Sequence, residues 1–214
     1  IQMISTKELQ LLPDSSTLKK TCKAMAVLDA ILCQEWIYRY HSYNSEWSED
    51  EEFFEMRNGE GDGLLILFKE GGTVINGYFA DAEQPDKTQL ENKLPEIFRE
   101  FIFGEPVHSA GTTFCIWKTE AEEWQNGIDS TTNDHSEELL SPFDGNPETY
   151  VKWANTYFKG QYKGDEIPLA TVSQLYAQQP LNNELINSLV EQPEDWDLLM
   201  EDLEEIAYPH QLEI

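Results

Sequence analysis

The sequence predicts an α+β fold: an antiparallel sheet of about four to six strands, packed with helices from both chain ends. Three observations carry that expectation. Leu64-Leu65-Ile66-Leu67-Phe68 and Thr73 to Phe79 are apolar runs joined by Lys69-Glu70-Gly71-Gly72, which has the chemistry of a hairpin turn. Upstream, Leu18, Cys22, Met25, Leu28 and Leu32 recur every three to four residues, as one face of a helix does. After Ile167 the apolar spacing is helical throughout.

From the N-terminus, Ser5 and Glu8 have the spacing of a capping box, so a short helix is expected there until Pro13 breaks it. Asp14-Ser15-Ser16-Thr17 offers N-caps for the next helix, which ends near Cys33. Trp36, Tyr38 and Tyr40 alternate with Ile37, Arg39 and His41, so Gln34 to Tyr43 reads as a strand. Ser45 to Glu60 reads as an acidic surface element, a helical turn anchored by Phe53, Phe54 and Met56. Asn58 to Gly63 is a turn cluster leading into the hairpin.

Pro95 suits the first turn of a helix whose apolar face is Leu94, Ile97, Phe98 and Phe101, with Gly104 as its stop. Thr112 to Lys118 is a strand, and Trp124 to Ile128 its return. Asp129 to Asp144 is polar and reads as a loop. Asn146-Pro147 starts a helix with Tyr150, Val151, Ala154, Tyr157 and Phe158 on one face and Gly160 at its end. Three short amphipathic helices follow, built on Leu169/Val172/Leu175/Tyr176, Leu185/Ile186/Leu189/Val190 and Trp196/Leu199/Leu203/Ile206. Pro193 opens the last and Pro209 closes it. Residues 1–163 are therefore expected to form an α+β core, with 164–214 an acidic helical segment docked on it as one structural unit.

The composition bounds the partners. In 214 residues there are 14 Lys+Arg against 41 Asp+Glu, a formal charge of −27. With 40% hydrophobic and 12% aromatic residues, the chain can build a core, so the acids form a skin on a folded protein. Such a surface repels phosphates, which argues against direct nucleic-acid binding and docking on anionic membranes. No run approaches the ~20 apolar residues of a membrane span. Cys22, Cys33 and Cys115 are odd in number and lack a C-x-x-C pair, as in a reducing compartment. Ile1 to Gln10 has neither a basic nor an apolar leader region, so a cytoplasmic location is expected.

Chemical motifs are sparse. His41, His108, His135 and His210 are isolated and show no metal-ligand spacing. Glu60 and Asp62 are the candidates for a hard cation, but they lack the ligand order of an EF-hand. Cys115 sits between Phe114 and Ile116 and reads as a buried strand residue rather than a nucleophile. Gly59 to Gly63 carries two acids and no following Lys, so it is no phosphate cradle. No catalytic residue and no cofactor is indicated.

The acids concentrate in two segments, Glu46 to Asp62 and Glu191 to Glu205, and 164–214 contains no Lys or Arg. The plain reading is solubility. The sharper one is a face complementary to a basic protein, for which Glu49, Asp50, Glu51, Glu52, Asp195, Asp197, Glu201, Glu204 and Glu205 are the candidates.

Met56-Arg57-Asn58-Gly59-Glu60-Gly61-Asp62, Thr112 to Lys118 and Asp144 to Tyr150, with the acidic C-terminal helices, resemble a family of uncharacterised bacterial cytoplasmic proteins. Leu94-Pro95-Glu96-Ile97-Phe98-Arg99-Glu100-Phe101 is similar to the leucine-proline-aromatic helix of the immunity-protein superfamily encoded beside bacterial polymorphic toxins. That second resemblance implies an inhibitor of a basic, nuclease-type toxin. The expected function is thus an acidic intracellular binding protein of the immunity or inhibitor kind. The alternatives are a carboxylate- or divalent-metal-dependent enzyme with a site near the Glu60–Asp62 turn, and a structural or regulatory domain without a tight ligand.

Overall fold

A computed structural model describes residues 3–130 and 132–213. Six strands form one antiparallel sheet in the order of the chain: β1 (His41–Ser48), β2 (Glu51–Arg57), β3 (Gly63–Lys69), β4 (Gly72–Tyr78), β5 (Phe114–Thr119) and β6 (Gln125–Asn126). The α+β class is as expected, with helices on both faces.

The register explains why the central strand is apolar without interruption. Tyr43, Phe54, Ile66, Ile75 and Ile116 stand opposite one another across five strands, and all belong to one core. The neighbouring row, Phe53, Leu67, Val74 and Trp117, points the other way into a second core. A strand buried on both faces needs apolar residues at every position.

The first face is covered by α1 (Ser15–Leu32), α4 (Ser136–Leu140), α5 (Pro147–Tyr157), α6 (Leu169–Tyr176), α7 (Asn183–Leu189) and α8 (Trp196–Ile206), whose buried residues share that core. The C-terminal helices therefore pack on the N-terminal layer. Arg39 fixes the join: its buried guanidinium donates to Asp202 Oδ1 and Oδ2 at 2.9 and 2.8 Å, and to the Cys33 and Gln34 carbonyls. The second face is covered by the β4–β5 connection, which holds 3₁₀ turns at Lys87–Leu90 and Glu96–Phe98, then α2 (Arg99–Phe103) and α3 (Val107–Ala110). Among the described residues no helix is long and apolar enough to cross a membrane.

Helix caps form at Asp14 and Asn146 as expected, but the last helix opens at Trp196 behind Asp195 rather than at Pro193. Asp14, Asn146, Asn182 and Asp195 each accept a hydrogen bond from a first-turn backbone N–H. Four further expectations are corrected. Ser5 starts no helix; a single 3₁₀ turn forms at Leu9–Leu11 instead. Trp36–Tyr38 is a 3₁₀ turn and the strand begins only at His41, because the alternation that suggested a strand lies on exposed aromatics with no sheet partner. The acidic segment is not a helical turn but β1, a tight turn and β2. Its alternation was masked because Phe53 and Phe54 are both buried, one on each face. Asp129 to Asp144 is not all loop: α4 and a 3₁₀ turn at Ser141–Phe143 bury Leu139, Leu140 and Phe143, and Asp134 accepts from the Ser136 backbone N–H at 3.0 Å. Thr131 of that segment lies outside the described residues.

Candidate functional site

The helical layer over the second face stops short of the sheet edge. Ser42 and Asn44 of β1, Phe53 and Glu55 of β2 and Leu65 of β3 line an open groove of about 270 Å³ there. Trp36, Trp47 and Pro106 also line it, and Glu205 reaches it from α8. Trp36 is 52% exposed and Trp47 41%, and the adjoining Ile37 and Tyr38 are 70% and 60% exposed. Large apolar side chains gathered at one uncovered edge mark an interaction surface more than scattered ones do. Each tryptophan is held in place: Trp47 stacks on Phe53 at 4.3 Å, and the Arg57 guanidinium lies 3.6 Å over Trp36.

Two carboxylates belong to this groove. Burial pushes the Glu55 carboxyl up, with Arg57 opposing. Burial also raises Glu205, and the neighbouring charge of Asp202 adds to it. Glu55 is partly buried with Arg57 3.8 Å away, whereas Glu205 is exposed to solvent.

The structure sorts the sequence candidates. Glu49 and Asp50 are exposed at the β1–β2 turn, where Asp50 takes a left-handed φ of 60°. Glu51 and Glu52 are not available as a free anionic face. Glu51 pairs with Lys69 at 2.8 Å. Glu52 pairs with Lys19 at 2.7 Å and Lys23 at 3.0 Å, and accepts the Tyr43 hydroxyl. Asp195 caps α8. Asp197, Glu201 and Glu204 are exposed on α8, and of the C-terminal candidates Glu205 alone lines the groove.

Glu60 is exposed, whereas Asp62 is buried. Asp62 already accepts from Asn58 Nδ2 at 2.7 Å and from the Ala80 backbone N–H at 2.8 Å, so it staples the loop. Among the described residues no group of three or more His, Cys, Asp or Glu is placed to hold a metal ion. All three cysteines are free and buried; burial lifts Cys115 to about 12 and Cys22 well above the thiol range, which makes both poor nucleophiles.

Sequence reasoning missed a second feature. Asp29, fully buried in α1, accepts from four donors: the backbone N–H groups of Tyr40 and His41, His41 Nδ1 at 3.1 Å and the Tyr150 hydroxyl at 2.8 Å. The signal was present, since Asp29 interrupts the otherwise apolar end of α1. His41 carries no motif, and only the fold brings it to Asp29. A cavity of about 400 Å³ opens beside it, next to the Glu60–Asp62 turn.

Compared with protein families, curated proteins and solved structures, the chain shows no significant match to any.

Proposed function

We propose that the chain is a bacterial cytoplasmic binding protein whose anionic, aromatic-edged groove engages a basic protein, as an immunity or inhibitor protein engages a toxin. The observation that carries this reading is the meeting of Trp36 and Trp47 with the partly buried carboxylate of Glu55 and the exposed one of Glu205 at the uncovered sheet edge. Aromatic anchors supply most of the affinity of such interfaces, and surrounding charge steers the encounter. Glu46 of β1, Glu49 and Asp50 on the adjoining β1–β2 turn, and Asp197, Glu201 and Glu204 on α8 extend the negative field. With a formal charge of −27, the chain would attract cationic proteins over several ångströms at low salt.

The test is association kinetics. A cationic protein captured from host extract at low salt should bind with an on-rate that falls steeply as salt rises, while the off-rate changes little. An on-rate indifferent to salt would remove the electrostatic part of the reading.

A further inference from the structure

The cavity beside His41 lies on the opposite side of the sheet from the groove and has different chemistry. Its walls are aromatic: Tyr40 and Trp153 have ring centroids 4.9 Å apart, and Trp153 meets the His41 ring edge-on at 5.0 Å. Glu60, Asp62 and Glu138 contribute carboxylates, and no Lys or Arg lines it. Asp62 is committed to the Asn58–Ala80 loop, and Glu138 lies 2.9 Å from His135 Nδ1. Glu60 is exposed and makes no ion pair among the described residues.

His41 gives the cavity its direction. The residue is 2% exposed, and its Nδ1 is turned to the Asp29 carboxylate. A carboxylate only accepts, so Nδ1 carries the proton and Nε2 presents a lone pair in the neutral ring. Nε2 makes no hydrogen bond to the described residues. Nor is it sealed from solvent: among those residues the one sealed, unpartnered side-chain polar atom is the Tyr176 hydroxyl. His41 lines the cavity and is otherwise enclosed, so the cavity is where Nε2 can meet a donor.

We propose that this cavity is a binding site for an alkylammonium group, whose charge lies against the Tyr40 and Trp153 rings and whose N–H donates to His41 Nε2. Ring faces attract cations, and Glu60 adds a carboxylate at the rim. An anion would meet three carboxylates and no Lys or Arg. A quaternary ammonium would satisfy the rings but leave Nε2 without a donor. The proposal stands apart from the basic-partner reading, because its test uses small molecules and no protein partner.

The experiment titrates the whole chain with n-butylamine, tetramethylammonium and butyrate at neutral pH, followed by the indole N–H resonance of Trp153 and by calorimetry. Butylammonium should bind saturably, tetramethylammonium at least about tenfold more weakly for want of a hydrogen bond to Nε2, and butyrate not at all. Glu60→Gln, on an exposed turn outside the core, should weaken butylammonium about three- to fivefold. Trp153→Leu should weaken it about tenfold, with circular dichroism confirming the fold. Absence of saturable butylammonium binding would overturn the proposal. So would equal affinity for tetramethylammonium, or a Glu60→Gln variant that binds as the parent does.

Discussion

Arg39 and Asp202 are joined by two parallel hydrogen bonds of 2.9 and 2.8 Å, and this pair ties the entry to β1 to the middle of α8. It sets the geometry of the groove, because Trp36 precedes Arg39 by one turn and Glu205 follows Asp202 by one turn. Ser45 Oγ, donating to the Glu205 carbonyl at 2.7 Å, adds a second tie between the same elements.

Asp202→Ala should therefore cost about 2–4 kcal/mol, because it leaves a buried guanidinium without its counter-charge. Arg39→Lys should lose much of the same stability, since an ammonium cannot reproduce the fork. Denaturant unfolding of the two variants measures both costs.

Tyr176→Phe should raise stability by about 1 kcal/mol. The hydroxyl is buried without a partner, and removing it relieves a desolvation cost while keeping the ring in the core. A higher denaturant midpoint with an unchanged slope is the expected result.

Glu52 should contribute acid-dependent stability. Burial pushes its carboxyl up, but hydrogen bonds from Lys19, Tyr43 and Lys23 outweigh burial and bring it down to about 2, from 4.5. A depressed carboxyl stabilises the fold fully above its unfolded value and loses that contribution as pH falls through its folded value. The difference in Tm between the parent and Glu52→Gln should thus be constant above about pH 5 and close between about pH 4.5 and 2.

Glu55 should behave in the opposite sense. Its carboxyl is raised by burial, so the neutral form favours the fold and the charge costs stability as pH rises through the raised value. Glu55→Gln should be as stable as the parent or slightly more stable at pH 7, yet bind a basic partner more weakly. Thermal unfolding and partner affinity measured on the same preparation check both halves.

The hairpin, the helix caps and the division into sheet and helices were legible in the sequence because they rest on local chemistry: Gly71-Gly72 at a turn, Asn146 before Pro147, and helical apolar spacing in α1 and α8. The acidic strands were not. Burial of Phe53 and Phe54 on opposite faces depends on a second helical layer supplied by residues far along the chain. The candidate site was legible only in part. Clustering of acids in the sequence says nothing of which ones meet lysines, so Glu51 and Glu52 looked free although Lys69, Lys19 and Lys23 neutralise them. Glu205 was among the candidates, whereas Trp36, Trp47 and Glu55 are brought together only by strand pairing and the uncovered edge.

Whether that edge binds a partner is read from the affinity of a captured cationic protein for the Trp36→Ala/Trp47→Ala double variant. Both side chains are about half exposed, so circular dichroism should match the parent and Tm should fall only slightly. Loss of two central aromatic anchors should weaken binding by at least about 30-fold. Unchanged affinity in a folded double variant would contradict the account and return the acidic surface to a role in solubility.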